Sequence, residues 1–167
     1  MLDGDLRKPC LHERFGIRQS PGLCEVLRGE ASVFDVMQKT SVPGLMIITA
    51  GYWTPETGEA LLTANLDQLF ALFRSQFDFV LVDSSPALPI ADALILARHT
   101  DGVILSFMQG VSRMQQATQT CDRFSAVGVR VLGAFVSGTV HETYSASEKY
   151  YRSSANRDSA PIAAEMS

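Results

Sequence analysis

Apolar positions along the chain alternate between short continuous runs and repeats three or four residues apart, and each change of spacing marks a change of element. Met1-Leu2-Asp3 passes directly into Gly4-Asp5-Leu6-Arg7-Lys8-Pro9, the pattern of a strand's last residues entering a loop. Two short helical patterns follow, over 22–28 and 32–37, with Ser32 placed to cap the second. Residues 45–49, Leu-Met-Ile-Ile-Thr after Pro43-Gly44, read as a buried strand. Leu61, Leu62, Leu66, Leu69, Phe70 and Phe73 then recur at helical spacing, which predicts one long amphipathic helix over 59–76.

The run over 79–83, Phe-Val-Leu-Val-Asp, predicts a strand buried on both faces, with Asp83 emerging at its carboxyl end. A helix over 90–99, a strand over 103–107, a helix over 112–126 and a strand over 129–136 complete the pattern. Strands alternating with helices imply right-handed crossovers, so the fold class is α/β, a mostly parallel sheet with helices on both faces. In such sheets ligands collect at the carboxyl ends of the strands. The pattern makes 1–137 an α/β domain and 138–167, where apolar periodicity gives way to Ser, Glu, Arg and Ala, a flexible tail.

Composition narrows the class. A length of 167 residues suits one domain, and at 46% hydrophobic residues it can bury a sizeable core. No apolar run approaches the roughly 20 residues of a membrane-spanning helix. The net charge of −4 argues against a nucleic-acid partner. Cys10, Cys24 and Cys121 are scattered, without C-x-x-C spacing, and read as reduced thiols of a cytoplasmic protein.

Three places carry candidate chemistry. Asp3 and Asp5, two apart on a strand, can point to one side and share an oxygen-seeking cation or a hydroxyl. The alternative is a solvated turn in which Asp5 caps the backbone and Arg7 is a surface charge. Asp83 is followed by Ser84 and Ser85, hydroxyls able to line a phosphate or hold a Mg²⁺-bound water; alternatively Asp83 only caps the next helix. Asp92 reads as a helix-start residue. In the tail, Tyr144, Tyr150 and Tyr151 are three of the four tyrosines, either phosphate acceptors or residues packing onto the domain.

Taken together, these segments resemble the bacterial tyrosine kinases of capsule and exopolysaccharide production, within the deviant-Walker group of P-loop ATPases. Leu2-Asp3-Gly4-Asp5-Leu6-Arg7-Lys8-Pro9 is similar to the hDxDxRxP motif, and Val80-Leu81-Val82-Asp83-Ser84-Ser85-Pro86 to the Walker B strand. The likeness continues through Leu11-His12-Glu13-Arg14-Phe15-Gly16, Pro21-Gly22-Leu23, Ala91-Asp92-Ala93 and Val131-Leu132-Gly133-Ala134, covering about 1–138. It implies a P-loop NTPase-like fold, Mg²⁺ and ATP as cofactors, and ATP-dependent phosphorylation of protein tyrosine. Asp3 and Asp5 would lie beside Mg²⁺ and the incoming hydroxyl, with Asp3 assisting proton removal, and Arg7 matches the motif's arginine. Asp83 would hold Mg²⁺ through water, Ser84 and Ser137 would face the nucleotide, and Tyr144, Tyr150 and Tyr151 would be the phosphoacceptors. Implied partners are a membrane-bound polysaccharide chain-length or co-polymerase protein and other copies of the chain, at the inner face of the cell membrane.

The departures are as specific. The sequence contains no G-x-x-x-x-G-K-[ST] loop, which in the family precedes the first motif together with a strand and a helix. The resemblance therefore implies a chain that begins inside the domain, lacks the P-loop strand and helix, and is inactive alone. Ser137 stands where the family usually has asparagine, and Ser85 where proline is frequent. Three functions follow: part of a polysaccharide-associated tyrosine autokinase, a non-catalytic module regulating a full-length paralogue, or a partition-type ATPase.

Overall fold

The structure is a computed structural model and describes residues 1–138. Its main sheet has β1 (Leu2–Gly4) at the centre, paired in parallel with β3 (Met46–Ile48) on one side and β4 (Val82–Ser84) on the other. The outer strand β2 (Met37–Lys39) runs antiparallel to β3. A second parallel pair, β5 (Val103–Met108) with β6 (Val131–Ser137), is hydrogen-bonded to no strand of the first sheet. The architecture is thus α/β and mainly parallel, but the single sheet expected from the pattern is two. Among the described residues β4 pairs only with β1 and β5 only with β6, leaving one edge of each unpaired.

Leu2, Leu6, Leu23, Leu61, Leu66, Phe70, Phe73 and Leu96 form the main core against the first sheet. A smaller core gathers Ala97, Leu105, Phe124 and Val129 around the second. The strand expected over 79–83 with both faces covered is shorter and one-sided. Val80 and Val82 pack on the main core, whereas Phe79 is 86% and Leu81 62% exposed. Alternation puts successive side chains on opposite faces, and among the described residues nothing covers the outer one there.

The helix expected over 59–76 is two, α4 (Pro55–Thr63) and α5 (Leu66–Gln76). Ala64 turns extended at φ −62°, ψ 146°, and the Asn65 side chain accepts from Gln68 N at 3.1 Å, starting a new helix with its own cap. Leu62, one position round α4 from the buried Leu61, is exposed, while Leu66 at the start of α5 is buried. Ser32 does cap α3 (Val33–Val36), accepting from Phe34 N, but Met37 leaves the helix for β2. The remaining helices are α1 (Leu11–Phe15), α2 (Leu23–Leu27), α6 (Asp92–Ala97) and α7 (Met114–Ala126).

Among the described residues no helix is long and apolar enough to cross a membrane. All three cysteines are free, and burial pushes the Cys24 thiol up to about 12.

Candidate functional site

Parallel pairing of β1 with β4 sets Leu2 opposite Val82, Asp3 opposite Asp83 and Gly4 opposite Ser84. The close approach depends on Gly4: a Cβ there would meet the Asp83 carbonyl oxygen and Leu96 Cδ1, each at 2.8 Å. Register therefore brings together the two strand-end acids singled out in the sequence.

Asp3 is fully buried. Its Oδ2 accepts from Leu11 N, the first residue of α1, at 3.1 Å, while Oδ1 has no hydrogen-bond partner in the structure. Burial raises its pKa to about 6; the Leu11 hydrogen bond opposes the shift and the neighbouring Asp83 charge adds to it. Asp83 is also raised, first by burial and then by Asp5. Two carboxylates that resist ionisation side by side, one with a bare buried oxygen, suit a divalent cation or a proton held between substrate and protein. Among the described residues no group of three or more His, Cys, Asp or Glu side chains is arranged to hold a metal, so an ion here would complete its shell from water or phosphate oxygens.

Asp5 lies beyond β1, half-buried, with Oδ1 accepting from Lys8 N at 3.1 Å. It thus caps its own turn, the alternative weighed from the sequence, while its charge still reaches Asp83. Arg7 is no isolated surface charge: its Nε donates to Asp92 Oδ2 at 3.1 Å, and its guanidinium stands over the Trp53 ring, 4.7 Å from the centroid. Asp92 does begin α6, as expected. Ser84 is exposed at the end of β4, and the buried Ser85 Oγ lacks a partner. Ser137 ends β6, in the other sheet, and its hydroxyl donates to the Phe107 carbonyl at 3.2 Å. Tyr144, Tyr150 and Tyr151 lie outside the described residues.

No family model matches the chain. It is 35% identical over 144 residues to EpsB of Ralstonia solanacearum, covering 86% of this chain and 19% of that protein. It is 32% identical over 133 residues to the tyrosine-protein kinase ptk of Acinetobacter johnsonii, covering 80% and 18%. The solved kinase domain of the Escherichia coli tyrosine kinase ETK superposes with a TM-score of 0.79 at 28% identity, over 87% of this chain and 57% of that domain. The chain is a homologue of the bacterial tyrosine-protein kinases.

It spans about a fifth of the length of these curated relatives and corresponds to part of a bacterial tyrosine kinase domain. The septum site-determining protein MinD of Pyrococcus horikoshii, solved with Mg-ADP, matches with a TM-score of 0.66 at 22% identity and shows the shared P-loop NTPase-like fold.

Sequence reasoning missed Trp53, which sits in the loop before α4, and the positions that hold that loop. The buried Glu25 carboxylate accepts from Gly22 N at 2.7 Å, Tyr52 N at 3.0 Å and Ser20 Oγ at 3.1 Å. Burial opposes its ionisation, but the hydrogen bonds from Tyr52 and Gly22 outweigh that and lower its pKa. Arg28 Nη1 donates to the Tyr52 carbonyl at 3.0 Å from the other side. The only sequence signal was Gly22 three residues before Glu25, the spacing of a capping box.

Proposed function

We propose that this chain carries the acidic half of a protein-tyrosine phosphorylation site, working with Mg²⁺ and ATP in the service of polysaccharide export. The observation that supports the reading best is the register pairing of Asp3 with Asp83, together with the buried Oδ1 of Asp3 that has no hydrogen-bond partner among the described residues. Asp83 would hold the metal through water and Asp3 would stand beside it. The metal would neutralise phosphate charge and order the phosphate oxygens.

Asp3 then orients the tyrosyl hydroxyl and accepts its proton, a role for which a pKa of about 6 is better placed than an ordinary carboxylate. Asp5 adds negative charge at the same edge, and Arg7 offers a guanidinium to the phosphoryl group. Ser84 and Ser137 would contribute nucleotide contacts, with Ser137 doing so only after giving up its bond to Phe107. Residues 138–167 would be a separate acceptor tail in which Tyr144, Tyr150 and Tyr151 receive phosphate from a neighbouring copy. A membrane-bound co-polymerase protein at the inner face of the cell membrane is the fitting partner for the domain.

Phosphoryl transfer also needs amide and lysine donors for the triphosphate, and the sequence holds no G-x-x-x-x-G-K-[ST] loop to supply them. The 167-residue chain by itself is therefore expected to be inert. Joining a phosphate-loop segment of a relative ahead of Met1 and adding Mg·ATP tests the reading. Phosphotyrosine should appear, and Asp3→Asn should abolish it. Hydrolysis of ATP without phosphotyrosine would favour a partition-type ATPase, and neither activity would favour a regulatory module.

A further inference from the structure

We propose that Trp53 and Asp92 are positioning residues that clamp Arg7 so that its two terminal Nη groups form a ready oxyanion site for a phosphoryl group. The inference rests on the phosphoryl-site reading above and names the residues that hold Arg7 in place. Arg7, Trp53 and Asp92 come from three separate segments: the loop after β1, the loop before α4, and the first residue of α6.

Asp92, its side chain only 11% exposed, accepts a hydrogen bond from Nε at 3.1 Å, and Arg7 Cζ stands over the Trp53 ring at 4.7 Å from its centroid. Those two contacts hold the group at its Nε and over the ring. Among the described residues nothing accepts a hydrogen bond from either Nη, and the side chain is 40% exposed. A guanidinium held by its Nε and over an aromatic ring has lost much of its freedom while keeping the terminal nitrogens that match two oxygens of a phosphate. Binding an anion there costs less ordering than binding it to a free arginine.

The platform is itself held. Tyr52, next to Trp53, is fastened through its N–H to Glu25 and through its carbonyl to Arg28. The indole is therefore carried on an anchored loop. A purely structural ion pair between Arg7 and Asp92 would need no aromatic face beneath it and would leave phosphate binding unaffected by Trp53.

The 167-residue chain can be tested directly. Inorganic phosphate is titrated with and without Mg²⁺, followed by phosphorus NMR and by the emission of Trp53, the only tryptophan. Phenyl phosphate and Mg·ATP, titrated in parallel, distinguish a phosphotyrosine from a nucleotide as the natural source of the group. Saturable binding in the millimolar range with a change in Trp53 emission is expected, and Arg7→Met should remove both. Trp53→Leu and Asp92→Asn should each weaken phosphate binding about 3- to 10-fold, with Trp53→Phe restoring most of it.

Circular dichroism establishes that each variant is folded. The Arg7 Nε–H signal in a ¹⁵N spectrum should be sharp and exchange-protected in the wild type and lose that protection in Asp92→Asn. Phosphate binding unchanged in folded Trp53→Leu, or no saturation in the wild type, would overturn the proposal. Arg7-dependent phosphate binding that Mg²⁺ does not strengthen would defeat the phosphoryl-transfer reading and leave the oxyanion site standing.

Discussion

Asp3 and Asp83 are register partners on adjacent parallel strands, so two carboxylates leave one sheet edge side by side, both held above their ordinary ionisation range. The arrangement costs the fold stability when both are charged. That cost is what a cation, or a proton taken from a substrate, would relieve.

Stability should depend on pH through Asp3. Its pKa rises from 3.8 to about 6 on folding, so the folded state binds this proton more tightly than the unfolded chain. The contribution is full below pH 3.8, fades as pH rises through about 6, and has cost about 1–3 kcal/mol by pH 7. Asp3→Asn keeps an acceptor for Leu11 N and should therefore stabilise the chain by about that amount at pH 7 and hardly at all near pH 4. Urea unfolding at the two pH values checks it, and an equal effect at both would contradict the assignment.

Among the described residues, the exposed apolar side chains Phe79 and Leu81 lie just before β4, and Ile104, Phe135 and Val136 lie on β5 and β6, strands that each have an unpaired side. Surfaces of that kind associate. Sedimentation of the isolated chain should show mass rising with concentration, and Leu81→Lys with Ile104→Lys should suppress it. Both sites are more than half exposed, so the cost in stability should stay within about 0.5 kcal/mol each. A monomer at every concentration would show that the edges are protected.

Nucleotide affinity of the chain alone should be low. The acidic edge supplies metal ligands and one clamped arginine, against the several amide and lysine donors that a triphosphate requires. Titration calorimetry with Mg·ATP should give a Kd of about 1 mM or weaker, near −4 kcal/mol. A micromolar value would mean that the phosphate site lies elsewhere.

Glu25 should be among the most sensitive positions outside the core. Its carboxylate satisfies three donors and pairs with Arg28 Nη2 at 3.5 Å, so Glu25→Ala strands the buried Gly22 N–H and the part-buried Tyr52 N–H, while Arg28 keeps its pair with Glu30. A loss of about 2–4 kcal/mol is expected from thermal or urea unfolding. Because the Glu25 pKa is lowered in the fold, its contribution is present above the ordinary carboxylate range and is lost as pH falls below it.

Much of this was legible in the sequence where a pattern ran long enough. The helix α7 and the strands β5 and β6 follow their periodicity closely, and strand-end acids marked Asp3 and Asp83. Three- to five-residue elements such as β2 and α1 carry too few turns of pattern to register. The break at Ala64 depended on one capping side chain, Asn65, inside an otherwise continuous apolar stripe. The exposure of Phe79 and Leu81 depends on the tertiary neighbours of that segment, which no local pattern encodes. The clamp on Arg7 joins residues 85 positions apart and is wholly tertiary.

The most direct measurement is site-resolved mass spectrometry of two forms of the chain, each extended by a phosphate-loop segment, mixed and incubated with Mg·ATP. One form is isotopically heavy and carries Asp3→Asn; the other keeps Asp3. Phosphate is expected on Tyr144, Tyr150 or Tyr151 of the heavy form only when the Asp3 form is present, because the Asp3–Asp83 edge of one copy acts on the tail of another. Steady ATP hydrolysis with all three tyrosines unmodified in both forms would contradict it.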